Sequence, residues 1–163
     1  MAFSTPVNVV RWDGTQGQLR YRAVFDGAGQ DLTDSAIVDI SALAPAPNSV
    51  KVQRIQSVIN GVYSATLEYD ATTDQIIDQF SGQSDISNPY VVDYSKGPNG
   101  GVVPTNTAAG FVGDILLTTV GAAAGHELNL TIDFRKKTLR RDSFAGWFVI
   151  CCTCFVLPRS STW

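Results

Sequence analysis

Hydrophobic and polar positions alternate with a period of two through three stretches of this chain. Leu19, Tyr21, Ala23 and Phe25 interleave with Gln18, Arg20, Arg22 and Val24; Tyr63, Ala65, Leu67 and Tyr69 with Ser64, Thr66 and Glu68; Leu128, Leu130, Ile132 and Phe134 with Asn129, Thr131, Asp133 and Arg135. Successive side chains of an extended strand point to opposite faces, so each pattern predicts a strand with one buried and one wet face. Segments 7–12, 35–40, 50–59, 75–80, 90–94 and 114–120 carry the same β-branched enrichment, making about nine predicted strands. Between them lie Asn60-Gly61, residues 70–74, Ser81-Gly82, Asn88-Pro89, residues 97–101 and residues 121–125, rich in residues that tolerate positive φ or fix a turn. Asn60-Gly61 is the strongest hairpin signal, since a type I′ turn wants two left-handed residues. With no long amphipathic helix in view, the pattern predicts an all-β fold: a single antiparallel β-sandwich, jelly-roll-like.

Two segments resist this scheme. Ile76 and Phe80 stand four apart, which leaves a helical turn open over residues 74–80. Residues 95–110 hold Gly97, Pro98, Gly100, Gly101 and Pro104 with no periodicity, and are expected to form a long loop of the kind that often carries contacts. No internal repeat or linker interrupts residues 1–137, which are expected to form one domain.

Charge divides the chain unevenly. Residues 1–134 carry 14 Asp+Glu against six Lys+Arg, a net of −8. Residues 135–163 carry Arg135, Lys136, Lys137, Arg140, Arg141 and Arg159 against Asp142 alone, a net of +5. Phe144 to Leu157 then form a nearly unbroken apolar run of 14 residues, short of the ~20 that a membrane-spanning helix needs. Residues 138–163 therefore read as a basic and apolar C-terminal extension. Such a run must be covered, because exposing several aromatic and aliphatic side chains invites aggregation.

Three coverings suit the extension: a last strand of the same sandwich, a docking arm on a neighbouring subunit, or a peripheral membrane anchor. The arm is preferred, with Arg135, Lys136, Lys137, Arg140 and Arg141 meeting an acidic surface and Phe144, Trp147 and Phe148 as anchors. Membrane contact through a basic cluster followed by an apolar run is the third reading. The N-terminus has neither a basic region nor an apolar run of the secretory kind, so synthesis in a cytoplasm is expected.

Catalytic equipment is not recognisable. The single histidine, His126, sits in the turn Gly125-His126-Glu127 and is expected to be exposed, without the oriented partner and nucleophile that a base requires. No serine stands in a nucleophile elbow and no glycine run is spaced as a phosphate loop. Cys151, Cys152 and Cys154 offer three thiols on an apolar background with no histidine or fourth cysteine beside them, poor provision for zinc. Glu68, Asp70, Asp74 and Asp78 cluster around the predicted 63–80 hairpin but lack the spacing of a calcium loop and read as solvated turn residues. Arg11-Trp12 and Arg20-Tyr21-Arg22 interleave basic and aromatic residues as nucleic-acid binders do, yet an acidic body repels phosphate. On a strand Arg20 and Arg22 share the outer face over an inward Tyr21. No catalytic residue, cofactor, metal or small-molecule substrate is expected, and the protein is read as non-enzymatic.

Three stretches carry a resemblance: Val9-Val-Arg-Trp-Asp-Gly-Thr15 with Tyr21-Arg-Ala-Val-Phe-Asp-Gly27; Leu67-Glu-Tyr-Asp-Ala-Thr-Thr-Asp74; and Gly113-Asp-Ile-Leu-Leu-Thr-Thr119 with Leu130-Thr-Ile-Asp-Phe-Arg-Lys-Lys137. Together they span most of residues 7–137 and resemble a family of small virion structural proteins of tailed phages, of the marine and cyanobacterial type. The extension beyond Lys137 departs from that pattern. The resemblance implies a structural role at the phage head surface or neck: a capsid decoration or cement protein that binds the major capsid protein or neighbouring virion subunits, as a homo-oligomer. A head-fibre, neck or tail component is the nearest alternative. A carbohydrate-binding module, from a different class, also suits a β-sandwich with exposed Tyr and Trp.

Overall fold

A computed structural model describes residues 4–27, 31–61, 63–82, 88–105 and 113–137. Among them nine strands and no helix are found: β1 Ser4–Trp12, β2 Gln16–Val24, β3 Ser35–Val38, β4 Val50–Asn60, β5 Ser64–Tyr69, β6 Gln75–Ser81, β7 Tyr90–Asp93, β8 Ile115–Val120 and β9 Glu127–Lys136. All nine predicted strands are present; the inner ones hold their register through inward apolar residues, whereas β1 and β7, at the edges of the larger sheet, bury none fully among their described side chains. They form two antiparallel sheets, one of five strands in the order β1-β2-β9-β4-β7 and one of four in the order β3-β8-β5-β6. β2 pairs with β9, β3 with β8, β4 with β7 and β5 with β6, so eight strands form four antiparallel pairs nested one inside the next.

Both sheets contribute to one core. Leu19, Tyr21, Ala23, Ile55, Ile59, Leu128, Leu130, Ile132 and Phe134 from the larger sheet meet Ile37, Ala65, Leu67, Tyr69, Ile115 and Leu117 from the smaller, and all are buried. Two tyrosines at the ends of β5 reach across this core. Tyr63 donates its hydroxyl to the Glu127 carbonyl at 2.8 Å. Tyr69 donates to the Val102 carbonyl at 2.8 Å and accepts the Val52 N–H at 3.0 Å. Burial pushes both phenols above their ordinary pKa. Each hydroxyl is thereby satisfied within an apolar interior, where an unpaired one would cost about 1–3 kcal/mol.

Two sequence expectations are corrected. Asn60-Gly61 joins β4 of one sheet to β5 of the other and forms no hairpin. Gly61 takes a positive φ of +123° but Asn60, the last residue of β4, does not, and a Cβ on Gly61 would fall 2.4 Å from the His126 ring. Glycine is required at this corner for the close approach of that ring. Residues 75–81 are strand β6 and not a helical turn. A bulge opposite Leu67 and Glu68 leaves Ile77 as an extra residue, so Ile77 and Phe80 both point inward although they stand three apart. The bulge mimics a helical spacing. The patternless loop is tied down at Val102, which exchanges both backbone hydrogen bonds with Val52.

Candidate binding face

The outer face of the five-stranded sheet is built from the positions that alternate with the core. Register places them in cross-strand rows. Arg11, Gln18, Asp133, Arg54 and Asp93 form one row across all five strands; Val9, Arg20, Thr131, Gln56 and Val91 form the next; Val7, Arg22, Asn129 and Val58 the third. A second bulge shapes this face. Val52 pairs with Phe134 and Arg54 with Asp133, leaving Gln53 as the extra residue on β4. Gln53 and Arg54 thus stand side by side at the mouth of a cleft of about 540 Å³, lined also by Arg11, Gln18, Asp93 and Asp133. A second depression of about 400 Å³ lies over the neighbouring rows, lined by Val7, Val9, Arg20, Arg22, Gln56 and Asn129.

Some of these groups are already engaged. Gln18 donates to Asp133 Oδ1 at 2.8 Å and accepts from Arg20 Nε at 3.1 Å. Arg22 pairs with Glu127 at 3.5 Å. Asp93 accepts the Ser95 N–H and hydroxyl, bonds that hold its carboxyl below the ordinary value. Asp13, at the rim, accepts the N–H groups of Gln16 and Thr15 and the Thr15 hydroxyl, which bring its pKa down to about 2. Arg11 and Arg54 have no hydrogen bond or ion pair among the described residues. Two guanidinium groups therefore line the cleft without a hydrogen bond among the described residues, that of Arg54 beside the Asp93 carboxylate. Beneath it Trp12 stacks on Phe134 at 5.8 Å, and a Cβ on Gly17 would fall 2.5 Å from the Phe134 ring. Gly17 lets these rings close the end of the core.

The outer face of the four-stranded sheet is chemically opposite. Glu68 on β5 and the flanking Asp34 and Asp74 bring carboxylate oxygens within 4.8 Å of one another. Desolvation, together with Asp74 and Asp34, raises the Glu68 pKa. Three carboxylates reach the six oxygens that calcium takes at the least only if every one binds through both of its oxygens, and Asp34 and Asp74 are exposed. Of the acidic residues that the sequence grouped, the fold brings Glu68 and Asp74 together and separates the others. Asp78 accepts the Tyr90 hydroxyl at 3.0 Å, and Asp70 exchanges backbone hydrogen bonds with Gly113 and Asp114. Asp34 was missed, because its neighbours lie more than thirty residues away and only the β3-β8-β5 pairing unites them.

Of the residues expected at an interface, Arg135 and Lys136 are exposed at the end of β9. Lys137 is half-buried, its ammonium donating to the Pro104 carbonyl at 3.1 Å. Arg140, Arg141, Phe144, Trp147 and Phe148 lie outside the described residues, as do the three cysteines. His126 is half-buried and not exposed as expected: its ring stacks on Tyr63 at 5.4 Å and Nδ1 accepts the Ala123 N–H at 3.1 Å. It braces the 121–125 turn. Arg20 and Arg22 are exposed over a buried Tyr21, as their spacing predicts.

The basic face as a whole was missed. Its signal was present, since Lys and Arg, Lys136 at the end of β9 apart, fall at outward positions of the strands that join the larger sheet and are missing from β3, β5, β6 and β8. Pairing had to be known before that signal had meaning. No family model, no curated protein and no solved structure matches this chain.

Proposed function

We propose that this protein is a non-catalytic structural component of a phage particle, a decoration or cement protein that binds the head and reinforces the joints between capsid subunits. The observation that carries this reading is the nested strand order. With β2-β9-β4-β7 in one sheet and β3-β8-β5-β6 in the other, the eight strands read as a long hairpin rolled up on itself, the jelly-roll arrangement, with β1 added at an edge. Jelly rolls recur in viral capsid proteins and in lectins, so the fold supports a binding role without naming the partner. The three stretches that resemble virion structural proteins supply the partner class.

Cementing would work through buried area and charge complementarity across a shell joint. Arg135 and Lys136 stand exposed where β9 ends, and the basic and apolar sequence from residue 138 onward is suited to act as an arm on a neighbouring subunit. Particles assembled without the protein are expected to release DNA at a lower temperature than complete particles, and adding the purified protein back should restore the difference. Identical heat-release profiles would overturn the cement role.

A further inference from the structure

The charges of the described chain are sorted between its two sheets. The outward positions of the five-stranded sheet hold Arg11, Arg20, Arg22, Lys51, Arg54 and Arg135, against Asp93, Glu127 and Asp133. The strands of the four-stranded sheet hold no Lys or Arg, and their outer face gathers Asp34, Glu68 and Asp74. One side of the molecule is a basic plate and the other an acidic one. Each also exposes apolar side chains among its charges: Val7, Val9 and Val91 on the basic side, Ile76 and Val120 on the acidic side.

Like charges gathered on one surface repel, so the acidic cluster works against the isolated fold. Its repulsion is relieved when cations approach from outside. A surface of opposite sign that is present in every copy at equal concentration is the basic plate of another copy. We propose that the outer face of the five-stranded sheet of one molecule docks on the outer face of the four-stranded sheet of the next, with Arg20 and Arg54 among the cations presented to Glu68 and Asp74.

This contact is heterologous, joining different surfaces of identical chains, and it propagates head to tail until it closes in a ring or ends in a short stack. Its size sets its strength. Four strands at about 4.8 Å spacing and about six residues at 3.4 Å each give a face about 20 Å on a side, or roughly 800 Å² over both partners. That is below the area of a standard stable complex. Free molecules should associate weakly, whereas copies confined on a common scaffold should associate firmly through effective concentration. The inference does not depend on the virion reading: unchanged heat release would leave it standing, and its own failure would leave that reading standing.

Sedimentation velocity of the full chain tests it. At high protein concentration and about 20 mM salt the sedimentation coefficient should rise with concentration, and about 500 mM salt should abolish the rise, because exposed charges are then screened within a few ångströms. The full-length variant Arg20→Glu/Arg54→Glu turns the basic plate acidic, and Glu68→Lys/Asp74→Lys turns the acidic plate basic. Each alone should self-associate at least about tenfold more weakly than the parent, and an equimolar mixture of the two should recover association, since every contact is again between opposite signs. Association that ignores salt, or that both variants retain, would overturn the proposal, as would a chain that is monomeric at every salt concentration. Because all variants keep residues 138–163, association driven by that segment would show itself by persisting in each of them.

Discussion

The two outer faces handle charge in opposite ways. On the five-stranded sheet, acidic and basic residues lie beside each other along cross-strand rows: Asp133 stands between Gln18 and Arg54, and Arg54 stands next to Asp93. On the four-stranded sheet, Asp34, Glu68 and Asp74 converge with no cation on their strands. Carboxylates at the rim of the first face are held ionised by turn hydrogen bonds, as with Asp13 and Asp93. On the second face Glu68 is pushed the other way, and so is Asp114 at the start of β8, chiefly by desolvation. A surface selected for monomer stability alone would mix its signs on both sides.

The largest way to break the comparison is to cut the tie that sets the faces apart. Tyr69 runs from the acidic sheet to the bulged strand of the basic one. Tyr69→Ala should cost about 3–5 kcal/mol in chemical denaturation, since a buried aromatic side chain leaves a cavity. Tyr69→Phe should cost only about 1 kcal/mol, because Val52 and Val102 still hydrogen-bond to each other at 3.1 Å once the hydroxyl is gone. Equal losses from both variants would mean that the hydroxyl, not the packing of the ring, joins the sheets.

Relieving the acidic face has the opposite sign. Glu68→Gln should stabilise the monomer by less than about 1 kcal/mol at neutral pH, read as a small rise in Tm. A folded-state pKa above the ordinary value means that the ionised carboxylate costs the fold something. That cost is full above the raised pKa and vanishes as a proton binds, so the advantage of Glu68→Gln should disappear on acidification. The turn carboxylates Asp13 and Asp93 behave in reverse. Their contribution is present above the ordinary carboxylate range and is lost as pH falls toward their lowered values, about 2 for Asp13. A Tm titration of parent and variant should therefore show the two curves converging before the common acid decline sets in.

The smallest effect sharpens the basic side. Arg22 and Glu127 are 3.5 Å apart, with the arginine side chain 57% exposed. Arg22→Ala should change unfolding stability by about 0.5 kcal/mol or less. A larger loss would place Arg22 among the supports of the fold and weaken the case that the basic plate is kept for contact.

Much of the fold was legible in the chain. Leu128 to Phe134 and Tyr63 to Tyr69 alternate without a fault; the first lies in β9 and the second, from Ser64 on, is β5, with those faces inward. Where a bulge inserts a residue, as at Ile77, the period breaks and sequence reasoning drifts toward a helix. Asn60-Gly61 shows a different limit: its chemistry specifies a sharp reversal but not whether the next strand stays in the same sheet. The charge asymmetry was read along the chain, as an acidic body and a basic tail. Folding adds a second asymmetry at right angles to it, between sheets whose strands interleave in sequence.

The position of β9 has a consequence for how the protein is made. It lies between β2 and β4 at the centre of the larger sheet, and its partners in β2 stand more than a hundred residues earlier, as in the pairing of Leu19 with Ile132. Until residues 127–136 have left the ribosome, β2 and β4 each expose an unpaired edge, and the sheet has no middle. Such long-range pairing raises contact order, which slows the folding of all-β domains toward the millisecond-to-second range. Nascent chains therefore pass through a period in which two long apolar strands await a partner, the interval in which unpaired edges are most open to pairing with another chain.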